Sequence, residues 1–170
     1  MDSLRPGHIV EYLQDSLPCI GIVLSEDSDR LKVLTATKRQ IKLPRSRALP
    51  WTGPWFSPEG SREEILRQLE RTNALRQRIQ DRLDPVEIWE LLQDEVREEG
   101  PEWLANLIWT EPDPDHVAAL GRLLLQYKTY FKFTPPVFQI LSREKVQMKL
   151  HQQEVERWRN RVVQQGQALF

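Results

Sequence analysis

A chain of 170 residues with 39% hydrophobic residues can form one ordinary domain or two small ones, and its formal net charge of -1 is not that of a uniformly basic protein. No run of about 18 apolar residues occurs, and the first residues lack the basic and apolar parts of an export signal. We therefore expect a cytoplasmic protein with no membrane partner. The lone Cys19 excludes an internal disulfide, and no glycine-rich phosphate loop supports nucleotide hydrolysis.

Residues 1–49 have the composition of β-structure. Short runs rich in Ile, Val and Leu are separated by turn-forming residues, and they predict strands at 8–12, 18–25, 30–35 and 39–43. Apolar and polar residues alternate around Lys32 and Lys42, so we expect these two side chains to point to water. Four or five such strands predict a small SH3-like β-barrel.

Residues 50–60 are rich in proline and include two glycines. This composition opposes regular structure and predicts an irregular connector that marks a domain boundary. Ser61 and Glu64 then form a capping-box pair, which predicts a linking helix over 61–83.

Residues 84–141 predict a mostly helical, winged-helix-like domain. Asp84-Pro85 and Asp113-Pro114 are helix-start signals, and a short helix is expected between them at 102–108. Two β-prone runs then surround Pro135-Pro136 and predict a hairpin. The fold class predicted for the whole chain is α+β.

Residues 142–170 predict a final helix. Its apolar stripe is spaced three and four residues apart, and we expect it to dock onto the rest of the chain, with a homodimer through this helix as the alternative. The stripe comprises Met148, His151, Val155, Trp158 and Val162.

The region from Arg30 to Pro58 carries seven basic side chains and no acidic one, followed by aromatic residues near its end. Positive charges that pair with phosphates, beside rings that stack on bases, predict an RNA-binding surface. The predicted phosphate contacts are Lys32, Lys38, Arg39, Lys42, Arg45 and Arg47, and the predicted stacking platforms are Trp51 and Trp55. The alternatives are an exposed strand face that only keeps an edge soluble, aromatics that pin the connector, and packing of the basic segment against the acidic helical domain.

The helical domain has the opposite charge. Eleven acidic residues lie between Asp84 and Asp115 against Arg97 alone, and this surface would repel duplex DNA. The expected recognition helix offers only Arg122 and Gln126 as base readers, with Lys128 and Lys132 beyond it. A winged-helix DNA-binding regulator is therefore the third hypothesis, after RNA binding and a protein-interaction or dimerisation scaffold.

Metal binding and catalysis have no support in the residues. The histidines His8, His116 and His151 lie in different predicted elements without a partner at ligand spacing. No cluster of aspartates and no Gly-x-Ser-x-Gly motif occurs. We predict no catalytic residue, no metal ligand and no cofactor in this chain.

Four segments in a fixed order carry a family resemblance. They are Pro6-Gly7-His8-Ile9-Val10-Glu11-Tyr12, Trp103-Leu104-Ala105, Asp115-His116-Val117-Ala118-Ala119-Leu120 and Tyr130-Phe131-Lys132-Phe133. With a helical bridge after the first segment, this order resembles the N-terminal region of bacterial and organellar ribonuclease II/R-like exoribonucleases, the RNB family.

The resemblance implies a non-catalytic N-terminal region of a longer 3′-5′ exoribonuclease. Enzymes of this family digest RNA with magnesium held by clustered aspartates in a central catalytic domain, so Mg is expected only in a catalytic domain outside this sequence. The implied partners are single-stranded RNA, bound with low sequence specificity, and the C-terminal catalytic domain of the same polypeptide.

Overall fold

A computed structural model of the chain describes residues 4–168, and it is an α+β fold. The first part contains strands β1 (His8–Gln14), β2 (Leu17–Glu26), β3 (Arg30–Thr35), β4 (Gln40–Pro44) and β5 (Ala48–Trp55), with a 3₁₀ turn, Arg45–Arg47, before β5. Then come α1 (Arg62–Asp81), α2 (Pro85–Leu92), β6 (Glu98–Glu99), α3 (Pro101–Ile108), α4 (Pro114–Gln126), β7 (Phe131–Thr134), β8 (Val137–Ile140) and α5 (Arg143–Ala168).

The five N-terminal strands form one antiparallel sheet in the order β4-β3-β2-β1-β5. Because side chains alternate along a strand, each face has its own apolar cluster. Ile9 of β1 packs with Leu69 of α1 on one face, while its neighbour Val10 packs with Leu43 of β4 on the other. The four strands predicted from apolar runs are confirmed, and Lys32 and Lys42 are exposed as expected.

The predicted connector is wrong for its first half. Residues 48–55 form β5, which pairs with β1, so the expected boundary after residue 49 falls inside a strand. Pro50 and Pro54 are tolerated because β5 lies at the edge of the sheet, where a missing backbone donor breaks no ladder on the outer side. Residues 56–61 alone remain as a connection to α1.

Helix α1 begins where the capping residues predict. The Ser61 side chain accepts a hydrogen bond from the Glu64 backbone at 3.2 Å, and the helix then runs across the sheet. Ile65 and Leu69 are its buried contacts with the strands. A helix at the predicted place, 61–83, is therefore confirmed as α1, and its role as a link between two domains stays a prediction.

The remaining elements surround a second apolar core. Asp84 caps α2 by accepting from the Val86 and Glu87 backbones, and α4 starts with the Asp113–His116 capping box. The small sheet has the order β6-β8-β7, with β7 and β8 as an antiparallel hairpin. Leu49 and Trp51 of β5 belong to this core, so the two parts of the molecule share packed side chains.

The C-terminal helix forms as predicted, but most of its apolar stripe does not dock. Val146 is buried near its start, whereas Met148 is 63% exposed and Trp158 is 64% exposed. The expectation that the stripe packs onto the rest of the described chain is therefore wrong. Among residues 4–168, no helix is both long and apolar enough to cross a membrane.

Candidate nucleic-acid interface

A groove of about 620 Å³ lies where the end of β1 approaches the β3–β4 hairpin. Three of the predicted phosphate-binding residues line it, namely Arg39, Lys42 and Arg47, and none of its described lining residues is acidic. We call this surface the sheet groove. Its positive charge suits a phosphate backbone, which pairs with several cations at once.

The lining of the sheet groove includes residues with hydroxyl groups. They are Tyr12, Thr35 and Thr37, and the hydroxyls of the two threonines are 2.9 Å apart. Burial of the ring raises the pKa of Tyr12, followed by a smaller effect of Cys19, and the nearby Arg47 opposes the rise. The phenol therefore keeps its proton at neutral pH and can donate a hydrogen bond to an anionic oxygen.

Lys32 and Lys42 occupy directly opposite positions on β3 and β4. Cross-strand partners place their side chains on the same face, and like charges there repel each other. Both side chains are exposed. An anion that binds across this pair would remove the repulsion, so Lys32 extends the positive surface of the groove along β3.

The structure separates Arg45 from the other predicted contacts. Its guanidinium forms a 2.9 Å ion pair with Glu26 and donates to the Asp27 carbonyl at 2.8 and 3.0 Å, which neutralises its charge locally. Arg47 instead donates to the Leu13 carbonyl at 3.3 Å and keeps its charge at the groove. Lys38 is exposed in the β3–β4 turn, where its carbonyl accepts from Arg62 at 2.6 Å.

Trp51 cannot serve as a stacking platform, and this prediction is wrong. Its side chain is only 4% exposed, its ring stacks on Phe138 at a centroid distance of 6.5 Å, and a Cβ on Gly121 would lie 2.4 Å from it. The indole nitrogen donates to Glu11 at 2.8 Å. No ring face is left for a base.

Trp55 is exposed, but it lies away from the sheet groove. It pairs with His8 at the start of β1, whereas Tyr12 of the groove pairs with Ala48. The step of four positions from His8 to Tyr12 spans about 13 Å along the strand. Base stacking on Trp55 stays a prediction, and it requires RNA that extends beyond the groove.

A buried charge network joins the sheet to the helices, and the sequence analysis missed it. Glu11 of β1 accepts hydrogen bonds from Arg76 of α1 at 2.7 Å and from Arg122 of α4 at 2.6 Å. Arg76 also donates to Asp115 at 2.9 Å and to the Gly53 carbonyl at 2.6 Å. The negative charges of two carboxylates therefore offset the positive charges of two guanidiniums within this network.

The sequence did contain a signal for this network. Glu11 stands within the apolar run of β1, and Arg122 stands among the leucines of α4, where buried charge requires a partner. Burial of Arg122 also removes it as a base reader, because it is 8% exposed and bonded to Glu11 and Asn73. Gln126 is exposed and accepts from Gln80 at 2.9 Å.

The predicted phosphate contacts form no ion pair with the acidic helical domain, although Leu49 and Trp51 of the same segment pack into its core. Within residues 4–168, Arg45 alone of the six predicted phosphate contacts forms an ion pair, and its partner Glu26 belongs to the same sheet. Lys32, Lys38, Arg39, Lys42 and Arg47 are all exposed. The contact between the two parts is therefore apolar at Leu49 and Trp51, and these five basic side chains keep their charge at the surface.

The structure assigns local roles to Asp113 and His116. Partial burial alone would raise the pKa of the Asp113 carboxyl, but hydrogen bonds from the His116 backbone and ring outweigh it and lower the pKa. This contact caps the N-terminus of α4. Within the described range 4–168, no three His, Cys, Asp or Glu side chains are grouped so that they could hold a metal ion.

Comparison with known proteins adds no assignment. No protein-family model and no curated protein sequence matches this chain.

Proposed function

We propose that this chain is a non-catalytic RNA-binding region that positions single-stranded RNA for a 3′-5′ exoribonuclease of the ribonuclease II/R type, within a longer cytoplasmic polypeptide. The observation that carries the proposal is the sheet groove, where Arg39, Lys42 and Arg47 line one surface without an acidic residue among the described lining. These three charges lie within reach of one phosphate backbone.

The order of elements supports the module types that the resemblance implies. Strands in the order β4-β3-β2-β1-β5, with a 3₁₀ turn before β5, suit an SH3-like barrel. Three helices and a strand followed by a β-hairpin, with the order β6-β8-β7, suit a winged helix. Fold type alone does not assign function, so the proposal rests on the groove.

The charge distribution favours RNA single strands over sequence-specific duplex DNA. The helix that would enter a major groove, α4, is buried from Val117 to Leu125, and its Arg122 is held by Glu11. A single strand needs only cations along its backbone, which the sheet provides without reading bases.

The direct test is the salt dependence of binding to a short RNA single strand. We expect a fluorescein-labelled oligouridine of about 6 nucleotides to bind the 170-residue chain, because its length lies within the usual range for one small domain. If four cations contact phosphates, the logarithm of affinity should fall against the logarithm of salt with a slope of about -3. Fluorescence anisotropy measures both quantities.

Matched variants assign the effect to the groove. The double change Lys42→Gln and Arg47→Gln should weaken binding severalfold and bring the slope to about -1 to -2. The control change, Arg71→Gln with Arg78→Gln, removes the same charge from exposed positions of α1 outside the groove and should leave affinity within about twofold. An affinity that does not change with salt concentration, or equal losses of affinity in both variants, would contradict the proposal.

A second candidate function is a protein-interaction or dimerisation scaffold. The specific observation in its favour is the exposed apolar stripe of α5, where Trp158, Val162 and Val163 have no covering element within the described chain. Exposed apolar side chains that lie together commonly mark an interface. The acidic surface of residues 84–115 is the other contact that this candidate would use.

Sedimentation velocity separates this candidate from RNA binding. A dimer through α5 should show a mass that rises with concentration, and Trp158→Glu should abolish the rise while RNA affinity stays unchanged. Gln164→Glu adds the same charge to the same helix without removing an apolar side chain, and it should keep the dimer. A monomer at all concentrations would exclude dimerisation.

A further inference from the structure

A second basic groove, of about 580 Å³, lies between α4, the β7–β8 hairpin and the start of α5. Four lysines line it, and none of its described lining residues is acidic. They are Lys128, Lys132, Lys145 and Lys149. We call this surface the lysine groove. It is the positive part of a helical region that is otherwise acidic.

The lysines of this groove remain available for an anion. Lys128, Lys132 and Lys145 are exposed, and no ion pair that involves them occurs among the described residues. Lys149 is half-buried and donates to the Lys128 carbonyl at 2.9 Å, which fixes its position beside the groove. Four positive charges on one rim repel each other unless an anion binds between them.

The floor of the lysine groove is apolar and mostly buried. Phe133 is half-buried, whereas Leu124, Leu125, Phe131 and Leu141 are buried. A nucleic-acid duplex presents only its charged backbone to such a groove, because its bases are stacked inside. An unpaired strand can place a base against Phe133 while its phosphates meet the lysines.

The two grooves meet at one residue. Leu13 lines both the sheet groove and the lysine groove, and its carbonyl accepts the hydrogen bond from Arg47. The end of β1 therefore forms the junction between the positive surface of the sheet and the positive surface of the helical region.

We propose that the two grooves form one continuous path for single-stranded RNA, which crosses from the sheet past Leu13 into the lysine groove. This inference rests on the proposed function and extends it, because it assigns Lys128, Lys132, Lys145 and Lys149 to the same ligand. The path gives the acidic helical region a place beside an RNA-binding sheet, because its lysines continue the path and none of its acids is among the described lining residues of the groove.

An acidic amphipathic peptide has related chemistry, since carboxylates and apolar side chains could also meet this rim and floor. The junction at Leu13 favours RNA, because a peptide site in the helical region would have no reason to continue into the basic groove of the sheet. The experiment includes the peptide as a separate arm.

The test compares oligouridines of about 6 and about 16 nucleotides on the whole chain by fluorescence anisotropy. Seven phosphate contacts, four on the sheet and one for each of the exposed Lys128, Lys132 and Lys145, predict a slope of about -5 for the longer strand, against about -3 for the shorter. The triple change Lys128→Gln, Lys132→Gln and Lys145→Gln should return the longer strand to about -3 and weaken it about tenfold or more. The shorter strand should bind this variant as it binds the unchanged protein.

The control variant carries Arg71→Gln, Arg78→Gln and Arg82→Gln, which remove three charges from exposed positions outside both grooves. It should bind both strands within about twofold of the unchanged protein. A 16-nucleotide duplex is expected to compete poorly with the longer single strand for the unchanged protein.

Three results would overturn the inference in distinguishable ways. If the triple lysine variant binds the longer strand normally while the Lys42 and Arg47 variant does not, the path ends at the sheet and the proposed function stands. If neither strand binds the unchanged protein, the proposed function fails as well. If the triple lysine variant loses affinity for a labelled peptide of alternating Glu and Leu but keeps its affinity for the longer RNA, the lysine groove binds a protein segment.

Discussion

Glu11 and Arg76 are 65 positions apart in sequence, and their side chains meet at 2.7 Å with exposures of 0% and 1%. Arg122 approaches the other oxygen of the same carboxylate, so one residue of β1 holds two helices. A buried ion pair adds little to the free energy of unfolding compared with a well-packed apolar pair. Removal of one partner is nevertheless strongly destabilising, because the other charge is left buried and unpaired. The network therefore fixes how α1 and α4 lie against the sheet.

We expect Glu11→Gln to lower the free energy of unfolding by about 3–5 kcal/mol, because it leaves two buried guanidiniums with one remaining carboxylate. Urea denaturation followed by tryptophan fluorescence measures the change. The matched control is Glu26→Gln, which breaks an ion pair whose side chains are each about one third exposed, and it should cost about 0–1 kcal/mol. Equal costs would mean that the network is not a constraint on the fold.

We expect Gly121→Ala to destabilise the protein although alanine is the better helix former. A Cβ at this position would lie 2.4 Å from the Trp51 ring, and the required shift should cost about 1–3 kcal/mol. Gly166→Ala in α5 is the control, because a Cβ there meets nothing within 4 Å and should add up to about 1 kcal/mol. Chemical denaturation of both variants provides the comparison.

We expect the two tryptophans of β5 to respond differently to replacement by phenylalanine. Trp51→Phe removes the buried donor to Glu11 and should cost about 1–3 kcal/mol. Trp55→Phe removes an exposed contact with the Pro6 carbonyl and should cost about 0.5 kcal/mol or less. Thermal unfolding by circular dichroism checks this, and a larger loss at Trp55 would contradict the assignment of Trp51 to the core.

We expect the Cys19 thiol to react slowly and at higher pH than an exposed cysteine. Burial raises its pKa, the charge of Glu11 raises it further, and a hydrogen bond with Gln14 opposes the rise. Because the folded pKa lies above the unfolded one, this contribution to stability is present at neutral pH and is lost as pH rises through the folded pKa. It follows that alkaline pH favours unfolding through this group.

Iodoacetamide alkylation between pH 7 and pH 11 measures the Cys19 shift. The rate midpoint should lie above that of the urea-unfolded protein, which should titrate at about 8.5. A midpoint at or below the unfolded value would contradict the predicted direction. The unfolded sample is the matched control because it contains the same single thiol.

Local sequence signals predicted most of the elements because their physical causes are local. The caps Ser61 and Asp84 satisfy backbone donors within three residues, and the helices begin there. Alternation around Lys32 predicted its exposure because the strand period depends only on the backbone. The proline-rich β5 was missed because its pairing with β1 depends on its edge position in the sheet.

The candidate site was only partly predictable. Composition indicated a basic segment, but Arg45 is neutralised by Glu26 through a contact across 19 positions, and Trp51 is buried by helices far along the chain. The lysine groove could not be found from sequence spacing, because Leu13 and Lys128 line the same groove only after the two parts of the chain pack together.

For this protein, the amino-acid sequence by itself determined the α+β class, the helix starts and the segregation of basic from acidic residues, because caps, side-chain periodicity and composition act over a few residues. Tertiary structure alone decided which charges stay free. Glu11, Arg76 and Arg122 pair in the interior because burial makes an unpaired charge costly. Lys42 and Arg47 stay exposed to solvent and line an open groove.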